Sequence, residues 1–148
     1  MEKAFIRVRS IKDIVVFISL IILGTVLTAS PVGEAANIAG FFIIFTGAIL
    51  AFVLKSGYKD ADTNEKYLKK ERYFQQASHT SISSAIASDP ETVDLSQEDK
   101  GNALRLDVYY SKSAGKACIQ LFEYVPYTYQ PCSKIYEYEI SKVTKLLK

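Results

Sequence analysis

Apolar and polar positions divide this chain into two unlike parts. Residues 14–29 and 35–54 form two apolar runs without a charge, separated only by Ser30-Pro31-Val32-Gly33-Glu34. The second run is ~30 Å long as a helix at ~1.5 Å of rise per residue, which matches a hydrocarbon core of ~30 Å. The first reaches only ~24 Å, and recruiting Ile11 with Lys12 snorkelling outward closes the gap. The pattern predicts a membrane α-helical hairpin of two transmembrane helices. Beyond it, period-two alternation takes over, with Leu104, Leu106, Val108 and Tyr110 set against Arg105, Asp107 and Tyr109. That spacing predicts a strand with one buried face.

The remaining elements follow from composition and punctuation. Residues 57–76 are charged, poor in β-branched side chains, and place Glu65 four residues before Lys69, which reads as an exposed connecting helix or stalk. Residues 78–101 are dense in Ser, Asp, Glu and Gln around Pro90 and read as loops or short edge strands. Residues 111–116 form a turn before a second strand at 117–125, then a proline-flanked loop at 126–131 and a third strand at 134–140. The last residues set Val143, Leu146 and Leu147 among Lys142, Lys145 and Lys148, a short basic amphipathic tail. The resulting organisation is a basic juxtamembrane segment (1–13), the hairpin (14–54), the connecting helix (55–77) and a small α+β, mainly antiparallel β, cytoplasmic domain (78–148). With so few residues after the spans, the core must be small.

Charge orients the hairpin. Lys3, Arg7, Arg9 and Lys12 precede the first span, Lys55, Lys59, Lys66, Lys69, Lys70 and Arg72 follow the second, and the connection carries only Glu34. Cytoplasmic flanks concentrate Lys and Arg, so both termini are expected in the cytoplasm of an integral membrane protein, the setting being a prokaryotic inner membrane. A cleaved signal peptide is the competing reading of the first run, since a basic segment precedes it and Leu27-Thr28-Ala29 ends it.

Within the second span Ala36, Gly40, Gly47 and Ala51 lie on one helical face, and Gly24 and Thr28 offer a matching surface on the first. Small residues let helices approach closely. They serve either packing inside the hairpin or contact with another membrane protein or a second copy. Asn37, near the outer end, reads as an interfacial hydrogen-bonding residue.

Candidate chemistry is sparse. The two cysteines, Cys118 and Cys132, lack metal-ligand spacing, and one histidine, His79, is available to complete a site. In a cytoplasmic domain they are expected to stay reduced. Asp60, Asp62, Asn64 and Glu71 fall at positions one, three, five and twelve of an EF-hand loop, but Glu65 stands where that loop needs glycine. No metal or cofactor is therefore expected. His79 lies beside Ser78, Thr80 and Ser81 without a nucleophile-framing motif, and a net charge of +2 does not suggest nucleic-acid binding.

Ten tyrosines and no tryptophan mark the polar part. Tyr124, Tyr127, Tyr129, Tyr136 and Tyr138 either pair across strands or form a contact surface for a partner or for headgroups. The expected function is a non-enzymatic membrane-anchored adaptor or accessory subunit, whose partners are the lipid bilayer and a membrane or cytoplasmic protein. The layout of two spans followed by a β region also resembles that of small prokaryotic antiviral effectors. That resemblance, which lies in the layout and not in any residue motif, implies a ligand-sensing β domain and spans that assemble through the Ala36 to Ala51 face to perturb the membrane.

Overall fold

The structure, a computed structural model, describes residues 4–148, so Lys3 of the basic flank lies outside the described residues. The chain divides into two units, one spanning residues 6–58 and the other comprising residues 59–148 together with the segment ending at Phe5.

The first unit is the helical hairpin. β1 (Phe5–Val8) leads to α1 (Ile11–Thr28), and α2 (Glu34–Val53) leads to β2 (Gly57–Asp60). α1 starts three residues before the uncharged run because Ser10 and Asp13 form a capping box. The Ser10 hydroxyl accepts the Asp13 amide at 3.2 Å, and the Asp13 carboxylate accepts the Ser10 amide at 2.8 Å. Two otherwise orphaned helix donors are satisfied in this way. The same carboxylate accepts the Ser56 amide at 2.8 Å and the Ser56 hydroxyl at 2.5 Å, tying the start of α1 to the residues just after α2. The 18 and 20 residues of α1 and α2 give ~27 and ~30 Å of helix.

The second unit is mainly antiparallel sheet. β3 (Lys66–Phe74), β4 (Leu104–Ser111) and β5 (Lys116–Val125) are consecutive neighbours, with Arg72 opposite Leu106 and Leu106 opposite Leu121. The far edge of β5 is shared by β6 (Thr128–Pro131) along one half and β7 (Tyr136–Glu139) along the other. The strands expected around 104–110 and 117–125 are present, and the third spans Tyr136–Glu139.

Four expected elements take other forms. Residues 57–76 contain β2 and β3 in place of a connecting helix. The Glu65 to Lys69 spacing that suggested helix is not used, because Glu65 accepts the hydroxyls of Ser111 and Ser113 at 2.9 and 2.7 Å. Residues 79–88 form α3 (His79–Ser88), whose Ile82, Ala85 and Ile86 are buried at the i, i+3, i+4 spacing of a helix that rests on a core. The loop at 126–131 contains β6, joined to β5 by Pro126 and Tyr127. Proline followed by a positive φ, here 72° at Tyr127, is what a type II turn requires. Finally, the amphipathic tail forms a short 3₁₀ turn and α4 (Thr144–Leu147), with Val143 and Leu146 wholly buried.

One sheet face carries the core. Phe74, Leu104, Leu106, Val108, Ile119 and Leu121 pack with Ile82, Ile86, Val93, Val143 and Leu146. Each such burial contributes about 1.5–3 kcal/mol. The tail carbonyls, which a helix end leaves without intrahelical partners, are met by cations of β3. The Arg72 guanidinium donates to Leu146 at 2.8 Å and also engages Glu98, and the Lys70 ammonium donates to Leu147 at 3.1 Å.

Candidate functional site

The small residues of the two long helices meet inside the hairpin. A methyl group on Gly40 would lie 2.6 Å from the Gly24 carbonyl oxygen and 2.5 Å from the Thr28 hydroxyl, and one on Gly24 would lie 2.7 Å from the Gly40 carbonyl oxygen. Gly47 faces Ile21, Leu20 and the Phe17 backbone at 3.1–3.3 Å. Ala36 and Ala51 are half-buried. With its amide oriented to donate, Asn37 reaches the carbonyls of Leu27 and Ser30 at 3.2 and 2.9 Å, closing the turn between α1 and α2. The outward faces are apolar and exposed, with Phe41, Phe42 and Phe52 at 62%, 62% and 79%. Only 11% of each long apolar helix is buried within the chain, whereas the core helix of a soluble domain is mostly buried.

The sheet face opposite the core holds the main polar cluster. Alternation along β3, β4 and β5 puts Lys69, Glu71 and Tyr73 beside Arg105, Asp107 and Tyr109, and beside Gln120 and Phe122. Asp107 is fully buried and its carboxylate lies 2.8 Å from the Lys69 ammonium and 2.9 Å from Arg105 Nε. Lys69 also reaches Glu71 at 2.5 Å, and the Tyr73 hydroxyl donates to Glu71 at 2.6 Å. The Arg105 guanidinium lies over the rings of Phe122 and Tyr129 at 4.8 and 4.6 Å, within range of cation–π attraction to both. At the far end of the face Phe5 stacks on Tyr109 at 4.1 Å and meets Tyr67 edge-on.

Burial and bonding pull these groups in different directions, and at Asp107 burial wins, pushing its carboxyl above the usual range against the bond from Lys69 and the charge of Arg105. Burial disfavours the Lys69 ammonium, but its bonds to Asp107 and Glu71 outweigh this and raise its pKa. Glu71 is likewise subject to burial, and the bonds from Lys69 and Tyr73 hold its carboxyl below the usual range. The bond it donates to Glu71, with some burial, pushes the Tyr73 hydroxyl up to about 12. A tyrosine raised this far is a poor acid at neutral pH. The arrangement is a coupled network of ion pairs and hydrogen bonds on one sheet face.

The five tyrosines do not share one face. Tyr136 and Tyr138 pack against the core, where the Tyr138 hydroxyl donates to the Ile86 carbonyl at 2.6 Å. Tyr124 and Tyr129 meet edge-on on the polar face with ring centres 5.2 Å apart, and Tyr127 stands 97% exposed at the tip of the β5–β6 turn. The EF-hand candidates separate as well. Asp60 closes the β2–β3 turn by accepting the Asp62 amide at 2.9 Å, while Glu71 sits mid-strand, bonded to Lys69 and Tyr73. Among the described residues no group of three His, Cys, Asp or Glu could hold a metal ion. His79 opens α3, half-buried.

No protein-family model, curated protein or solved structure matches this chain. Sequence reasoning missed the Lys69–Asp107–Arg105 cluster, although one signal for it was present. Arg105 and Asp107 form the polar half of the alternating strand. Once residues 66–74 are strand instead of helix, Lys69 becomes a diagonal cross-strand neighbour of Asp107.

Proposed function

We propose that the chain is a membrane-anchored, non-enzymatic adaptor or accessory subunit. In this reading α1 and α2 cross the bilayer as a hairpin, both termini are cytoplasmic, and the β unit stands at the cytoplasmic face. The observation that carries the proposal is the contrast between the two sides of the helix pair. Glycines close its seam to backbone contact, while its outer surface exposes Phe41, Phe45, Phe52, Ile22 and Val26. A continuous apolar surface of this kind is abnormal on a protein bathed in water and ordinary in lipid. The tie from Asp13 to Ser56 and the seating of Gly24 against Gly40 both favour a retained first helix over a cleaved signal peptide.

The adaptor reading draws its contact surface from Tyr124, Tyr127 and Tyr129. Tyr127 is the leading residue, because a bulky side chain held at positive φ and 97% exposed gains little from its own fold. Assembly of spans through the Gly40 and Gly47 face, as an effector would need, is disfavoured because α1 already occupies that face. Native mass spectrometry of the tagged protein, gently extracted from its own membrane, tests the reading. A stoichiometric complex with a second protein is expected, and its loss in Tyr127→Ser with Tyr124→Ser is expected with it. A homo-oligomer carrying an added small mass would overturn the adaptor reading in favour of a ligand-responsive effector.

A further inference from the structure

The helical unit is electrically one-sided. Between Ile6 and Tyr58 its cations are Arg7, Arg9, Lys12 and Lys55, all exposed and all at the end where α1 begins and α2 finishes. Its acids are Glu34, at the opposite end, and Asp13. Asp13 does not offset the cations at the surface. It is 3% exposed, and its carboxylate is spent on the Ser10 amide and on the Ser56 amide and hydroxyl.

The same contacts gather the cations. The Ser10 and Ser56 hydroxyls lie 2.8 Å apart, so Arg9 and Lys55, their chain neighbours, flank one point. Arg7 stands over the Tyr58 ring at 6.0 Å, and Lys12 lies in the first turn of α1. Around them Ile6, Ile11 and Val53 are exposed at 52%, 78% and 71%, continuing the apolar surface of the spans up to the charged level. Cations directly above exposed apolar side chains, with the nearby acid turned inward, match the layering of an anionic leaflet, in which phosphates lie just outside hydrocarbon.

We propose that this base of the hairpin is a binding site for anionic phospholipid headgroups, with Arg7, Arg9, Lys12 and Lys55 as its contacts and Asp13 as the concealed acid that keeps its surface uniformly positive. The proposal rests on the membrane-anchored reading above. It adds a lipid preference that anchoring alone does not require, since the apolar spans would insert equally into a zwitterionic bilayer.

The full chain is reconstituted from detergent into vesicles of equal phosphatidylcholine and phosphatidylglycerol, and retained lipids are identified by native mass spectrometry after gentle release. Phosphatidylglycerol is expected to be enriched over its share of the membrane by roughly fivefold or more, as one well-placed cation suffices to give. In Arg7→Gln, Arg9→Gln, Lys12→Gln, Lys55→Gln together the enrichment is expected to vanish while the protein still floats with the vesicles. Lys134→Gln with Lys142→Gln, charge changes in the β unit, is expected to leave it intact. Retention without preference by a protein that floats with the vesicles would overturn the headgroup site and leave the anchor standing. Enrichment abolished by inorganic phosphate alone would assign the cations to free phosphate and also overturn it. Failure to float would overturn the anchor and the site together.

Discussion

Gly40→Leu should force the two long helices apart. Even a single methyl at this position meets the Gly24 carbonyl oxygen at 2.6 Å and the Thr28 amide nitrogen at 2.6 Å, and backbone atoms cannot rotate out of the way as a side chain can. Overpacking a seam of this kind costs about 1–3 kcal/mol and more when backbone must shift, so a loss of about 3 kcal/mol is expected for leucine. The absence of a hydrophobic driving force between helices in lipid makes the seam more dependent on close contact. The readout is the unfolding midpoint of the detergent-solubilised protein. Phe42→Leu, on the 62% exposed outer face, is the comparison and should shift it little. Equal midpoints for Gly40→Leu and the native chain would mean that α1 and α2 do not pack as described.

Lys69→Met should cost the β unit about 3 kcal/mol, because it removes one partner of a buried ion pair and leaves the Asp107 carboxylate, 1% exposed, with Arg105 alone. The cost is mostly that of the stranded charge. Lys69→Met combined with Asp107→Leu should therefore recover much of it, a non-additivity that denaturant unfolding can measure. A pH dependence accompanies it. The Glu71 carboxyl is held below its ordinary 4.5, so its bonds contribute stability above that pH and lose it as pH falls through the folded value. Without the Lys69 bond the folded carboxyl lies nearer its ordinary value, so that acid limb should shrink. If the single and double variants were equally unstable, the cluster would be a set of surface contacts and not a coupled network.

The legible and illegible parts of this chain differ for physical reasons. Both apolar helices could be read because a span needs ~20 residues of one character, a signal too long for local detail to disguise. Leu104, Leu106 and Val108 were equally plain, since one face of β4 is core. β3 was not, because both of its faces carry charge. Arg72 is accommodated on the core side by donating to Leu146 and engaging Glu98, and Lys69 on the opposite face by pairing with Asp107 and Glu71. Composition registers those charges as solvent-exposed, and their partners lie far along the chain. α3 was hidden by its serines, which favour turns in isolation but here leave Ile82, Ala85 and Ile86 to dock on the sheet. The Asp13 tie was half-visible. Ser10 and Asp13 have capping-box spacing ahead of an apolar run, whereas Ser56 had no signal in the sequence.

The tail and the tyrosines teach the same lesson about faces. A basic amphipathic segment such as 141–148 suggests a membrane surface when read alone, yet Val143 and Leu146 complete the protein's own core. Tyr136 and Tyr138 do likewise, which leaves Tyr124, Tyr127 and Tyr129 as the narrower surface on which a partner could act.

Native cysteines allow the membrane placement to be tested without adding a reporter. Cys132 is exposed and Cys118 is buried in the sheet, so only the former should react with a membrane-impermeant maleimide. Burial, with Glu123 nearby, pushes the Cys132 thiol up, so labelling belongs at mildly alkaline pH, where more of the reactive thiolate is present. The measurement is labelling of the full chain in sealed right-side-out cells against inverted vesicles, after confirming that the protein stays with the membrane under alkaline carbonate. Labelling confined to inverted vesicles is the result expected of a two-span hairpin with a cytoplasmic β unit. Labelling of intact cells, or release of the protein by carbonate, would contradict it.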